Sequence, residues 1–315
     1  MTFVRTLEFE QIRRTIESLC IAACHELPSD VLQALQRAAE RESDPRAAGI
    51  LRQLIENARL AAQETIPLCQ DTGLTVVFVE QGAEVVIAPP TTENGGQRPE
   101  DGGRDTDNQT RPSSVIRRPS SGIVDAINEG VRAGYERGYL RKSVVAEPLH
   151  RRANTGTNTP AVVHLSIVPG DRLKLTVMAK GGGCENKSQF RMFRPTAQRQ
   201  EVMDWVVEVV KEAGADACPP FVVGVGLGGD FEHSCLLSKK ALLRPLAEPN
   251  PDPFYAQMEQ DLLARVNALG VGPQGLGGDT TALAVLIETA PCHIASLPVA
   301  VNIECHSHRH KTVVL

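Results

Sequence analysis

Apolar residues recur at helical spacing through the first third of the chain. Ile12, Ile16, Leu19 and Ala23 form one stripe, and Leu51, Leu54, Ile55, Ala58 and Ala62 form another. Asp44-Pro45 offers an N-cap followed by proline at the first helical position, so a helix is expected to start there. The texture changes at Leu74. LTVVFVEQGAEVVI is rich in β-branched residues and contains a Gly turn, which predicts two paired strands. Further on, the pattern predicts a helix over 123–137 and a hairpin in AVVHLSIV-PGD-RLKLTVMA. A helix over about 197–213, the strand FVVGV and the helix HSCLLSKKALLR follow. PDPFYAQMEQDLLARVNALG reads as a helix ended by Gly270, and ALAVLIE and LPVAVNIE as closing strands. The expected class is mixed α/β, a helical N-terminal portion followed by strands and helices, in one domain spanning 1–315.

Residues 89–122, PPTTENGGQRPEDGGRDTDNQTRPSSVIRRPSSG, interrupt this pattern. They hold almost no large apolar side chains and cannot repay the entropy of ordering, so a flexible surface insertion is expected there.

Composition narrows the classes. A chain of 315 residues with 42% hydrophobic and 23% charged residues reads as a globular protein with a substantial core. The net charge of −5 argues against a nucleic-acid binder while leaving anionic substrates open. MTFVRTLEFEQIRRTIE has no apolar core of a signal peptide, and no apolar run approaches the ~18 residues of a membrane span, so a cytoplasmic location is expected. In that reducing compartment the eight cysteines favour metal or catalytic use over disulfides. No CxxC pair occurs, so any metal site must gather ligands from distant segments.

Five punctuated segments carry candidate chemistry: CQDTG (69–73), NTGTNTP (154–160), KGGGCENKS (180–188), ACPPFVVGVGLGGD (217–230) and LPVAVNIECHSHRH (297–310). Cys20 and Cys24, at i and i+4 among apolar neighbours, read as buried structural thiols, and Cys235 likewise. Cys69, Cys184, Cys218, Cys292 and Cys305 border turns instead, and iron–sulfur clusters tolerate such long separations. GVGLGGD lies between a strand and a helix, the context of a phosphate loop, but no strand-end acid clearly follows ~20 residues on. CHSHRH reads as a solvated tail more readily than as a zinc tract.

CQDTG, YLRKS, NTGTNTP, KGGGCENKS, CPPFVVGVGLGGD and LPVAVNIEC stand in the order found in class I iron–sulfur fumarate hydratases. The chain resembles their alpha subunit, a family shared with the L(+)-tartrate dehydratase alpha subunit, from about residue 5 onward except at 89–122. The resemblance implies a [4Fe–4S] cluster on Cys69, Cys218 and Cys305, leaving one iron open as a Lewis acid. It also implies an acid/base role for Asp71 and substrate contacts from Gln70, Arg141, Gly182 and His293. Cys184 departs from the Ser more usual in fumarases and is not an expected ligand. The implied reaction is the reversible hydration of fumarate to (S)-malate, with L(+)-tartrate dehydration as the alternative on a related small dicarboxylate. A different-class alternative is a non-catalytic iron–sulfur or redox-sensor protein, its cluster saturated by Cys184 or Cys292.

Single-chain relatives continue into a second part that supplies further arginines, a lysine and a threonine. This sequence ends at Leu315, ten residues past Cys305, and nothing in it resembles that part. The resemblance therefore implies a separate beta subunit and an α2β2 assembly, with activity only in the complex.

Overall fold

The structure, a computed structural model, describes residues 4–89 and 122–315. The insertion expected at 89–122 lies outside the described residues except at its two ends. The N-terminal helices follow their sequence signals. α1 (Phe9–His25) buries Ile12, Ile16, Leu19 and Ala23, as its stripe predicts. α2 (Ser29–Arg41) packs beside α3 (Pro45–Glu64), whose N-cap Asp44 accepts from the N–H groups of Arg46 and Ala47. α4 (Gly122–Arg137) crosses α1 closely because Gly130 and Gly134 leave room. A Cβ at Gly130 would stand 2.5 Å from the Arg13 carbonyl. Ile16 is fully buried at this crossing, and its replacement by Ala would cost about 2–5 kcal/mol.

A small parallel pair joins β1 (Arg5–Glu8) to β3 (Val85–Ala88). The first large sheet contains β2 (Leu74–Gly82), β4 (Val162–Val168), β5 (Leu173–Lys180) and β10 (His310–Val314), in the order β10-β5-β2-β4. The second contains β6 (Gln189–Phe193), β7 (Phe221–Gly229), β8 (Ala282–Cys292) and β9 (Leu297–Glu304), in the order β6-β9-β7-β8.

Two expected pairings are corrected by this topology. β2 and β3 belong to different sheets, and β4 and β5 are not neighbours because β2 inserts between them. The cause is burial. Val76, Val77, Phe78 and Val79 are covered on both faces, which demands a central place, whereas β4 alternates exposed and half-buried positions and suits an edge. The parallel β2–β4 pair needs a crossover, and α4 lies within it.

The layers stack in sequence. α1 and α4 cover the Val77, Leu175 and Val177 face of the first sheet. Val76, Phe78 and Met178 on its other face share a core with Val222, Ala284 and Leu286 of the second sheet and with α7 (Phe231–Ala241). α6 (Arg199–Ala213) and α8 (Pro253–Asn267) cover the far face of the second sheet through Val206, Val210 and Leu262. The Gly-rich strand end serves this packing. A Cβ at Gly224 or Gly226 would stand 2.0 Å from the Ser238 or Ser234 carbonyl, so these glycines let α7 lie directly on β7.

Candidate active site

The chain passes from the second sheet to the first through residues 305–309, between the end of β9 and the start of β10. At that crossing β2 begins, β5 ends and β7 begins, so the segments 69–73, 180–184 and 217–218 arrive at one place. Contacts between the segments confirm the meeting. The His306 N–H donates to the Cys218 carbonyl at 3.4 Å, Cys184 Sγ lies 3.4 Å from the Ala217 carbonyl, and Arg309 Nη1 donates to the Asp71 carbonyl.

Asp71 is the best-held polar group of this meeting point. Its Oδ1 accepts from the Gly73 N–H at 3.0 Å and its Oδ2 from the Gly182 N–H at 2.8 Å. Gly181 sits between that carboxylate and Arg309. A Cβ there would lie 3.4 Å from both Asp71 Oδ2 and Arg309 Nη2. The loop is pinned from below. The buried Tyr135 hydroxyl of α4 donates to the Thr72 carbonyl at 2.7 Å and to the Gly73 carbonyl at 3.1 Å. Asn158, fully buried at φ 58°, accepts from the Ser143 N–H and donates to the Gly73 carbonyl, so NTGTNTP serves as a brace. Thr72 Oγ1 donates to the Arg141 carbonyl at 2.7 Å, which fixes the backbone of YLRKS against CQDTG.

Four thiols line the meeting point. Cys69 is half-buried with Sγ 3.1 Å from Gln70 Oε1, Cys218 is exposed in a left-handed conformation, and Cys305 is buried. The Cys218 thiol is raised first by partial desolvation and then by Cys305 and Cys69, so the three thiols share one electrostatic neighbourhood. Cys184 is buried beside Cys305. With Glu304 these two form the one His/Cys/Asp/Glu triad among the described residues whose ligand atoms lie within 4.8 Å. Cys24 is buried as expected, and its thiol, pushed up to about 11 by burial, points at the Thr72 carbonyl beneath the loop.

Charged groups that the sequence reading missed surround these thiols. Arg309 is 1% exposed, and its Nε has no hydrogen-bond partner among the described residues. Lys180 is equally buried. Its Nζ donates to the Ile303 carbonyl at 2.6 Å and lies 3.2 Å from Glu304 and 3.5 Å from Glu185. Burial opposes the Lys180 charge, but Glu304, Cys184 and Glu185 outweigh it and raise the group. The signal available in the sequence was position: each of these residues adjoins a Gly- or Cys-bearing motif.

CHSHRH is no solvated tail. His308 and Arg309 are buried in the crossing, and His308 Nε2 contacts the Leu242 carbonyl at 2.6 Å. Burial lowers His308 to about 4 and His310 to about 3, so both are neutral at neutral pH.

Gln70, Arg141 and Gly182 are exposed on the segments that meet at Asp71. His293 and Cys292 do not join them. They lie at the β8–β9 turn, at the opposite end of the eight-residue strand β9 from Cys305, roughly 25 Å away at the usual rise per residue.

The chain belongs to the fumarate hydratase family. The family model described as fumarate hydratase (fumerase) matches residues 13–115 and 111–314. Among curated relatives, the chain is 36% identical over 287 residues to a putative L(+)-tartrate dehydratase subunit alpha of Methanocaldococcus jannaschii, covering 90% of each chain. It is 28% identical to the L(+)-tartrate dehydratase subunit alpha of Escherichia coli strain K12, covering 92% of this chain and 86% of that one. It is likewise 28% identical, over the same shares, to the subunit of that name from Shigella sonnei.

The site residues suit an iron–sulfur group. Burial opposes the charge of Arg309, whose Nε is free among the described residues, while Cys305, Cys24, Glu304 and Cys69 favour it, and a cluster carrying three thiolates is net anionic.

Proposed function

We propose that the chain is the alpha subunit of an iron–sulfur hydro-lyase acting on a small dicarboxylate. The carrying observation is that Asp71, held by two backbone N–H groups, shares one strand-end site with Cys69, Cys218 and Cys305. These three cysteines would hold a [4Fe–4S] cluster, and when bound it supplies a Lewis acid at its uncapped iron for the substrate hydroxyl. Asp71 is the proton-transfer residue. The Gly73 and Gly182 N–H groups fix its carboxylate in place so that no reorientation precedes transfer. Arg141 provides the planar fork for a substrate carboxylate, Gln70 a neutral hydrogen-bonding group, and Gly182 a backbone surface without a side chain in the way. His293 can serve only in trans, in the site of a neighbouring chain, because its own chain holds it at the far end of β9.

The partner follows from the same geometry and from the relatives' subunit names. Gln70, Arg141, Gly182, Gly183 and Cys218 are exposed, so this wall of the site is open to water and oxidants. A beta subunit closing it, in an α2β2 complex, would complete the substrate clamp. No helix among the described residues is long and apolar enough to cross a membrane.

Fumarate hydration to (S)-malate is the leading reaction. L(+)-tartrate dehydration is the second reading, favoured by the names of the relatives. Anaerobic co-expression with a beta chain, cluster reconstitution and turnover of fumarate, L-malate, mesaconate and L-tartrate separates the two. Full activity from this chain alone would overturn the partner. A reduced-cluster EPR signal unmoved by malate or tartrate would point instead to a saturated, non-catalytic cluster.

A further inference from the structure

Cys184 has no part in the chemistry above, yet it occupies a particular place. It is 4% exposed, on the Gly-run turn that carries Gly182, with Sγ within 4.8 Å of Cys305 Sγ. Cys305 is itself 8% exposed, so the pair is enclosed by the crossing rather than presented to solvent. Among the described residues no disulfide joins any of the cysteines, and these two thiols are free. A disulfide needs its sulfurs about 2.05 Å apart. Forming the bond therefore requires rotation about χ1 at one or both side chains.

We propose that Cys184 is the resolving cysteine for Cys305. When the cluster is lost to an oxidant, the two form a reversible disulfide that preserves Cys305 for reassembly. This rests on the reading that Cys305 is a cluster ligand. The oxidant is a peroxide. The Cys305 sulfur attacks one peroxide oxygen, the O–O bond breaks, an S–O bond forms, and the other oxygen leaves as water. The Cys184 sulfur then attacks the sulfenic sulfur. The S–S bond forms as the S–O bond breaks, and the departing hydroxide takes the Cys184 proton as a second water. Two thiols thus supply the two electrons that reduce one peroxide to two waters. Without a resolving thiol, the sulfenic acid of Cys305 goes on to sulfinic and sulfonic acids, which reductants do not reverse. Cys69 is half-buried and Cys218 exposed, so neither shares the enclosure of Cys184 and Cys305.

The test uses the full chain in complex with its beta subunit, with the cluster first removed by chelation, then treated with hydrogen peroxide in several-fold molar excess. Peptide mapping under non-reducing conditions is expected to recover Cys184 and Cys305 in one linked peptide, 2 Da lighter than the sum of the two thiol peptides. Dithiothreitol followed by iron and sulfide should restore the cluster absorbance. Cys184→Ser retains a hydroxyl donor toward Ala217 and should reconstitute normally before oxidation. After peroxide it should show Cys305 gaining two or three oxygens and recover at least fivefold less cluster. Linked peptides joining Cys305 to Cys69 or Cys218, or equal recovery in Cys184→Ser, would overturn the proposal. Failure of the underlying ligand reading looks different: the disulfide would then form equally fast with the cluster in place.

Discussion

Replacing Tyr135 with Phe isolates one hydrogen-bonding atom beneath the proposed catalytic loop. The ring stays, so the packing of α4 against the first sheet is untouched, and only the hydroxyl is lost. In the wild type that hydroxyl donates to the Thr72 carbonyl at 2.7 Å and lies 3.1 Å from the Gly73 carbonyl. Without it the Gly73 carbonyl keeps Asn158 Nδ2 at 3.2 Å, while the Thr72 carbonyl keeps only the weak Cys24 thiol at 3.9 Å. A buried hydrogen bond contributes about 0.5–1.5 kcal/mol net, and an acceptor left without a partner costs about 1–3 kcal/mol. With one carbonyl rescued and the other nearly orphaned, a loss of about 1.5–2.5 kcal/mol is expected. At about 2–4 °C per kcal/mol, that lowers the melting temperature by roughly 3–10 °C. The second consequence is functional. The two carbonyls belong to the segment bearing Cys69 and Asp71, so turnover of the reconstituted complex should fall about tenfold or more while iron content stays near wild type. Urea denaturation under reductant gives the first quantity, and steady-state rates per bound cluster give the second. Tyr135→Leu, which also removes the ring, should cost at least another 1–2 kcal/mol. A stability loss below about 0.5 kcal/mol with unchanged turnover would refute the claim that this hydroxyl holds the loop.

Gly226→Ala should destabilise the chain by about 3 kcal/mol or more, seen as insoluble expression or early unfolding, because the new methyl would stand 2.0 Å from the Ser234 carbonyl. Recovery of a stable protein would reopen the ligand-loop reading of GVGLGGD. Asp71→Asn should leave cluster absorbance near wild type and lower kcat by about 10²–10⁴-fold, with a proportionate loss in kcat/KM. Stability should fall with acid in a defined window. His308 and His310 are lowered from 6.5 to about 4 and about 3 by burial, so below pH 6.5 the unfolded chain takes up protons that the folded chain does not. Their contribution is therefore intact above pH 6.5 and lost as pH drops toward 4, by on the order of 1 kcal/mol each at pH 5.5. Chemical denaturation at pH 8 and 5.5 measures it, and His310→Asn should remove about a third of the difference, because burial also lowers His306 to about 4.

Individual elements were legible because periodicity is a local property, but their partners were not. β2 reads as a strand from its β-branched run, yet its neighbours are set by the burial of both its faces under α1, α4 and α7. A turn signal such as PGD therefore joined β4 and β5 in sequence without pairing them. The glycines of β7 misdirect for a related reason. A bound phosphate and a closely packed helix both require a missing Cβ, and only the placement of α7 tells them apart. CHSHRH misdirects through composition. Three imidazoles and a guanidinium suggest water, but here they line the passage between the sheets, where the guanidinium meets the Asp71 carbonyl. The cysteines and Asp71 stand out as motif residues because the proposed cluster and proton transfer tolerate few substitutes. Arg309, Lys180 and Glu304 were not, because each acts through burial, and a charge costs little on a surface and much inside. Three fully buried charged side chains packed around one strand-end crossing are a large expense for a fold to carry without function. Their concentration beside Cys305 therefore marks this crossing as the candidate site independently of any motif.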